Sequence, residues 1–179
     1  MCSSDLIVSI ERVAVSEDAA TAAMVIAIQE FRTLFSEEVV SPENPVSVGS
    51  VTLMFTDLQS STMLYEDIGE APAYGLMRRH FGLLQQRISS ADGAIVKTIG
   101  DAVMAVFLDP AKAIMAAFEI HRAIMEDNNK RGEPKLILKV GIHHGPSIVV
   151  NQNEMLDYFG TTANLAARVQ KEKIGRAHV

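Results

Sequence analysis

Apolar runs of strand length alternate with helical periods along most of this chain. VTLMF (Val51–Phe55) reads as a continuous apolar run, the mark of a strand covered on both faces, and Thr56 and Asp57 end it. The cluster Ser60, Ser61, Thr62 then opens a helix through the Leu76–Ile88 region, where Leu76, Phe81, Leu83, Leu84 and Ile88 form an apolar face. Asp92-Gly93 marks a turn. AIVKTI and AVMAVF flank Gly100-Asp101, a two-residue hairpin signal. Asp109 followed by Pro110 is a strong helix start, and that helix is predicted to reach about Asn128. LILKVGI is the next predicted strand, broken by His143-His144-Gly145-Pro146, with SIVVN as its partner. Asp157 to Gly160 is expected to be a loop leading into a last helix, Thr161 to Lys171. The order βααββαββα predicts an α+β domain: a mixed, mostly antiparallel sheet with flanking helices, not a Rossmann fold.

The ends read differently. Residues 1–48 carry no site pattern; one amphipathic helix, about Glu17 to Phe35, precedes a Pro/Ser/Val linker, SPENPVSVGS. They are expected to be the tail of an upstream region. KIGRAHV (173–179) has no apolar period and back-translates readily to a sequencing-adapter sequence, so it is predicted to be non-native. That leaves 49–172 as the expected domain proper, which is then expected to be incomplete at its C-terminal side.

Composition narrows the function classes. At 48% apolar residues the chain can bury an ordinary core. A net charge of −6 argues against a nucleic-acid surface, though not against a nucleotide held at a metal-bridged site. Cys2 is the only cysteine, so no intrachain disulfide forms and a reducing, cytoplasmic setting is expected. The most apolar stretch, Ala19 to Ile28, is too short to span a membrane, which takes ~20 residues.

Candidate chemistry gathers where strands end. Asp57 and Asp101 each follow or adjoin an apolar strand; two hard carboxylate ligands suit Mg²⁺ or Mn²⁺, although a helix cap and a turn former would look the same singly. Leu58, Gln59, Ser60, Ser61 and Thr62 present backbone N–H groups at a helix start, an anion cradle or simply a cap. There is no Walker lysine. Lys97 is the one charge inside AIVKTI, and a strand lysine commonly points to solvent. Asn164 and Arg168 lie four apart on one helical face, where a polar surface pair is equally ordinary. His143 and His144 are adjacent, so on a strand they face opposite ways; with no Cys/His cluster they read as loop or structural residues. The methionines, Met104, Met115 and Met125 among them, read as core filler.

Taken together, FTDLQSST, VKTIGDAVMAVF and LDYFGTTANLAARV resemble the catalytic domain of the class III adenylate/guanylate cyclases, over roughly Ser50 to Gln170. Asp157, Asn164 and Arg168 keep that family's spacing of seven and then four. The resemblance implies a nucleotidyl cyclase fold with a ferredoxin-like core, and Asp57 and Asp101 as the aspartates for two Mg²⁺ or Mn²⁺ ions. It implies a phosphate loop at Leu58–Thr62, Asn164 on the ribose and Arg168 on the reacting phosphate. Lys139 stands where relatives often carry Arg near the triphosphate. Lys97 and Asp157 match the base-reading positions, where guanylate cyclases carry Glu and Cys. Lysine donates and aspartate accepts, the complement of adenine N1 and its exocyclic amine, so ATP is the implied substrate and 3′,5′-cyclic AMP with pyrophosphate the products. In the family the aspartates of one protomer face the other four residues of its partner, which implies a homodimer with shared sites. A guanylate cyclase and a non-catalytic, nucleotide-binding or regulatory cyclase-like module are the alternatives. The diguanylate cyclase GGDEF turn is absent; this chain has IGDA.

Overall fold

The computed structural model describes residues 20–35, 46–132, 134–152 and 155–172. Five strands form one sheet: β1 (Val46–Leu58), β2 (Ala94–Ile99), β3 (Ala102–Phe107), β4 (Leu138–Gln152) and β5 (Met155–Phe159). Their order is β2-β3-β1-β4-β5, and every pairing is antiparallel. Among the described residues six helices accompany them: α1 (Ala22–Ile26), α2 (Gln29–Leu34), α3 (Ser61–Ile68), α4 (Glu70–Ser90), α5 (Pro110–Arg131) and α6 (Thr161–Lys171).

Alternation along β1 explains the layering. Met54 and Leu58 face one side, where they pack with Leu84 and Ile88 of α4, Ala113 and Ile120 of α5, and Phe107. Val51 and Leu53 face the other side, with Ile26 of α1, Ala166 of α6, Met104 and Leu156. A central strand with helices on both faces must be apolar on both, which is why VTLMF lacks a polar period. At the other end of β1, Gly49 (φ 72°) sits in the register shift between Ser47 and Ser50, a bulge that bends the strand. The outer strands β2 and β5 approach one another despite lying at opposite edges of the order, for Lys97 of β2 is ion-paired to Asp157 of β5.

Several local expectations hold. The Asp109 carboxylate accepts the Ala111 N–H at 2.8 Å and Pro110 starts α5. Gly100-Asp101 connects β2 to β3. Others are corrected. The upstream helix is two short helices separated at Ala27-Ile28; its predicted start at Glu17, linker residues 41–45 and the 173–179 tail lie outside the described residues. The helix after Ser60 breaks at Gly69, whose φ of 80° a helix interior does not accept. His143-His144-Gly145-Pro146 does not interrupt the chain: β4 runs through it, pairing Thr52 with His144 and Ser50 with Pro146. Pro146 is tolerated because the β4–β5 ladder reaches only Ile148, so no bond on that side is lost. Gly145 and Pro146 instead admit α6, whose Thr162 hydroxyl donates to the Pro146 carbonyl at 2.5 Å. His144 is structural, its Nδ1 2.9 Å from the Thr52 hydroxyl. Asp157 lies in β5, not in a loop. Of the three methionines, only Met104 is core; Met115 and Met125 are exposed on α5.

Candidate active site

Strand pairing brings the turn that carries Asp101 to the end of the strand that carries Asp57. Asp57 is the penultimate residue of β1, and β3 runs back along it from the Gly100-Asp101 turn. The Leu58 N–H donates to Asp101 Oδ2 at 3.3 Å, so the Asp101 carboxylate sits against the backbone of Asp57's neighbour. On its other flank Asp57 stands opposite Lys139 of β4, and directly opposed residues share a face of the sheet. Gln170 of α6 donates to Asp57 Oδ2 at 3.2 Å. Two half-buried carboxylates with oxygens still available match Mg²⁺ or Mn²⁺, which take one or two protein carboxylates and fill the remaining positions with phosphate and water oxygens. No group of three or more His, Cys, Asp or Glu residues clusters among the described residues.

Beyond Leu58 the chain turns through Gln59 and Ser60. Gln59 N–H is tied to the Ile137 carbonyl at 2.8 Å, and Ser60 adopts the left-handed conformation (φ 59°) to enter α3. The hydroxyl of Ser60 caps nothing, leaving Ser60 and Ser61 beside an open cavity of about 360 Å³ shared with residues 134–137; Thr62 does not line it. A non-glycine residue held at positive φ here is a strained turn, the kind of backbone that frames a ligand.

Lys97 and Asp157 form the second group. Lys97 Nζ donates to Asp157 Oδ2, while Asp157 Oδ1 accepts the Tyr158 N–H at 2.8 Å. Lys97 thus does not point freely to solvent. A small cavity of about 120 Å³ lies beside the pair. Lysine keeps two further N–H donors and the carboxylate keeps lone pairs, so the pair remains able to read a donor–acceptor edge.

Asn164 and Arg168 belong to neither group. Thr162, Ala166 and Gln170 form the buried stripe of α6, and Asn164 and Arg168 project from the exposed opposite side. The sequence reading missed Gln170, although its place four after Ala166 puts it on the inward stripe. It also missed His80, a buried α4 residue whose two ring nitrogens lack partners. Burial pushes its pKa down to about 4, the nearby Asp101 charge opposing only in part.

Burial of that histidine should make the fold acid-sensitive. In the unfolded chain it titrates near its ordinary 6.5, so its contribution is complete above that pH and is lost as the pH falls towards 4. The loss at pH 4 is on the order of 3 kcal/mol. Urea unfolding at pH 7 and pH 4.5 should show His80→Leu losing distinctly less stability than the parent; parallel losses would mean that His80 carries no part of the acid sensitivity.

Comparison with known proteins follows the same lines. Residues 44–178 match the model of the adenylate and guanylate cyclase catalytic domain. The chain is 30% identical over 143 residues to an adenylate cyclase of Mycosarcoma maydis, covering 68% of this chain and 6% of that protein. It is 28% identical over 134 residues to adenylate cyclase 1 of Rhizobium meliloti, covering 67% of this chain and 20% of that one. The chain therefore spans a small part of these relatives. Its fold is similar to that of a bacterial light-regulated adenylyl cyclase, with a TM-score of 0.67 and 24% identity over 73% of this chain and 42% of that chain. With the family model covering most of its length, this chain belongs to the adenylate and guanylate cyclase catalytic-domain family.

Proposed function

We propose that the chain is an adenylate cyclase domain, converting ATP to 3′,5′-cyclic AMP and pyrophosphate at sites shared between two copies of itself. The observation that carries the choice of ATP is the Lys97–Asp157 pair, a donor beside an acceptor at a small cavity. Guanine presents the reverse pattern and would leave both groups mismatched. Residues 49–172 are the catalytic portion in this reading, with 1–48 leading into it.

Each side chain has a task. Lys97 donates to adenine N1 and Asp157 accepts from the exocyclic amine. Asn164 orients the ribose so that its 3′-oxygen lies in line with the α-phosphorus. That oxygen bonds to phosphorus as the bond to the bridging oxygen of pyrophosphate breaks. Arg168 lays a planar, permanently charged fork against the phosphate as charge develops. The N–H groups of Leu58 to Thr62 hold the β- and γ-phosphates, with Lys139 adding charge from β4. Asp57 and Asp101 would hold two Mg²⁺ or Mn²⁺ ions, which when bound lower the pKa of the 3′-hydroxyl and offset charge on the triphosphate. Catalysis of this kind is positioning plus electrostatics.

The outward face of Asn164 and Arg168 supports the shared site. A single chain does not present them to its own Asp57 and Asp101 by any contact in the described residues, whereas a second copy facing it would complete the set.

The direct test is a cyclase assay of the full chain with ATP and GTP under Mg²⁺, under Mn²⁺ and after chelation. Cyclic AMP should form only with metal and exceed cyclic GMP by at least about tenfold, as expected when mismatch strands buried polar groups. Faster turnover of GTP would overturn the base assignment, and metal-independent product would overturn the role of the aspartates. No helix among the described residues is long and apolar enough to cross a membrane. In keeping with the sequence reading, we place the domain in the cytoplasm, where ATP is supplied.

A further inference from the structure

The two edge strands that carry Lys97 and Asp157 are tied together by a segment outside the catalytic motifs. Helices α1 and α2 pack on the same face of the sheet as α6, with Ile26 and Ala27 buried among residues of β1, β2, β3 and β5. From α2, Gln29 Oε1 accepts the Ile95 N–H at 2.7 Å. Ile95 lies two residues before Lys97, where the β2–β3 register shifts, so the bond steadies the strand at its irregular point. One turn further, Arg32 donates from Nη2 to the Leu156 carbonyl, the residue next to Asp157, and from Nη1 to the Ile26 carbonyl at 3.3 Å. Its guanidinium lies 5.6 Å from the centroid of the Tyr158 ring, the residue on Asp157's other side.

Arg32 is only 7% exposed. A buried guanidinium costs several kcal/mol unless its donors are used and a compensating charge is near. Burial disfavours its charge, while Tyr158 and the Asp157 carboxylate favour it. So costly an arrangement at a helix of six residues calls for a reason beyond core packing, which any apolar side chain would serve.

We infer that Gln29 and Arg32 are positioning residues for the Lys97–Asp157 pair, holding β2 and β5 at the separation that lets lysine and aspartate read one base edge together. The inference rests on the base-reading role proposed above. Each tether grips backbone beside the reading residue and leaves the reading side chain its own hydrogen bonds. Loss of a tether should then blur nucleotide choice more than it slows the chemistry, because the phosphate-handling residues lie elsewhere.

The test uses Arg32→Gln, Arg32→Lys and Gln29→Leu in the full chain. For Arg32→Gln, KM for ATP should rise about fivefold to twentyfold with kcat within about threefold, and the preference for ATP over GTP should fall at least about fivefold. Arg32→Lys should recover part of that preference. Gln29→Leu should shift it in the same direction by less and keeps the test alive if Arg32→Gln fails to fold. Amide hydrogen exchange provides a readout independent of turnover: Ala94–Ile99 and Met155–Phe159 should exchange at least about tenfold faster while the centre of β1 does not. Unchanged exchange at both edge strands, or an unchanged ATP preference in an active enzyme, overturns the inference and leaves the proposed function standing. A parent chain that makes no cyclic AMP, while the variants still show the faster exchange, sinks the proposed function and keeps only the tie between the two edge strands.

Discussion

Mixing Lys97→Ala protein with Asp101→Ala protein should restore cyclase activity that neither has alone. Each variant by itself is expected to lose about 10²–10³-fold, the scale for removing one charge-handling group from a site. In a two-fold dimer with shared sites, each Lys97→Ala homodimer lacks lysine at both sites and each Asp101→Ala homodimer lacks the carboxylate at both. A heterodimer gathers both defects into one site and leaves the other intact. With random exchange, half the dimers are mixed and each has one working site, so about a quarter of parental activity should return. The arithmetic depends on the lysine and the aspartate coming from different copies. Within one chain Lys97 is engaged with Asp157, while the Asp101 carboxylate accepts the Leu58 N–H at the end of β1. Activity no greater than the sum of the two variants, with both shown to be folded and dimeric, would end the shared-site reading.

Gly141→Ala should damage the domain severely, although the substitution adds one carbon. A Cβ there would lie 2.3 Å from the Gln170 nitrogen, 2.5 Å from the Ala166 oxygen and 2.6 Å from the Gln170 Cα. All three are backbone atoms of α6, so no side chain can rotate away and the helix itself must move. Overpacking of this kind costs roughly 1–3 kcal/mol and more where backbone must shift. Displacing α6 also moves Asn164 and Arg168 and loosens Gln170 from Asp57, so activity should fall further than stability. Gly82, inside α4, is the control, because a Cβ added there would meet nothing within 4 Å. There Ala should stabilise by about 0.5–1 kcal/mol through the unfolded chain. Urea unfolding of both variants decides the matter: a Gly141→Ala protein as stable as its parent would mean that α6 does not seat on β4 as described.

Asp57, Asp101 and Asp109 were legible in the sequence because each stands at a break in an apolar pattern. Asp57 closes a buried run, Asp101 forms a hairpin tip, and Asp109 announces a helix; each is a local event that short-range patterning records. The β-strand interior around Gly145-Pro146 was misread because its glycine and proline serve an approaching helix, not a turn. Nothing local distinguishes the two uses. Asp157 was misplaced into a loop for a related reason, since five residues of an edge strand are too few to show a period.

The α+β class, the strand through Val51–Phe55, the β2–β3 hairpin and the helix starts at Asp109 and Thr161 were determined by the sequence alone, because hydrophobic period, turn chemistry and charge placement are properties of neighbouring positions; the candidate site residues were named there through a resemblance of motifs. Which residues meet was decided only by the tertiary structure. Lys97 and Asp157 sit on opposite edges of the strand order and come together only because the sheet bends and its edges approach. Gln170 reaches Asp57 across 113 positions, and Arg32 reaches Leu156 across 124. Contacts at such separations depend on how sheet and helices pack as a whole, and packing is a property of the folded volume that no window along the chain contains.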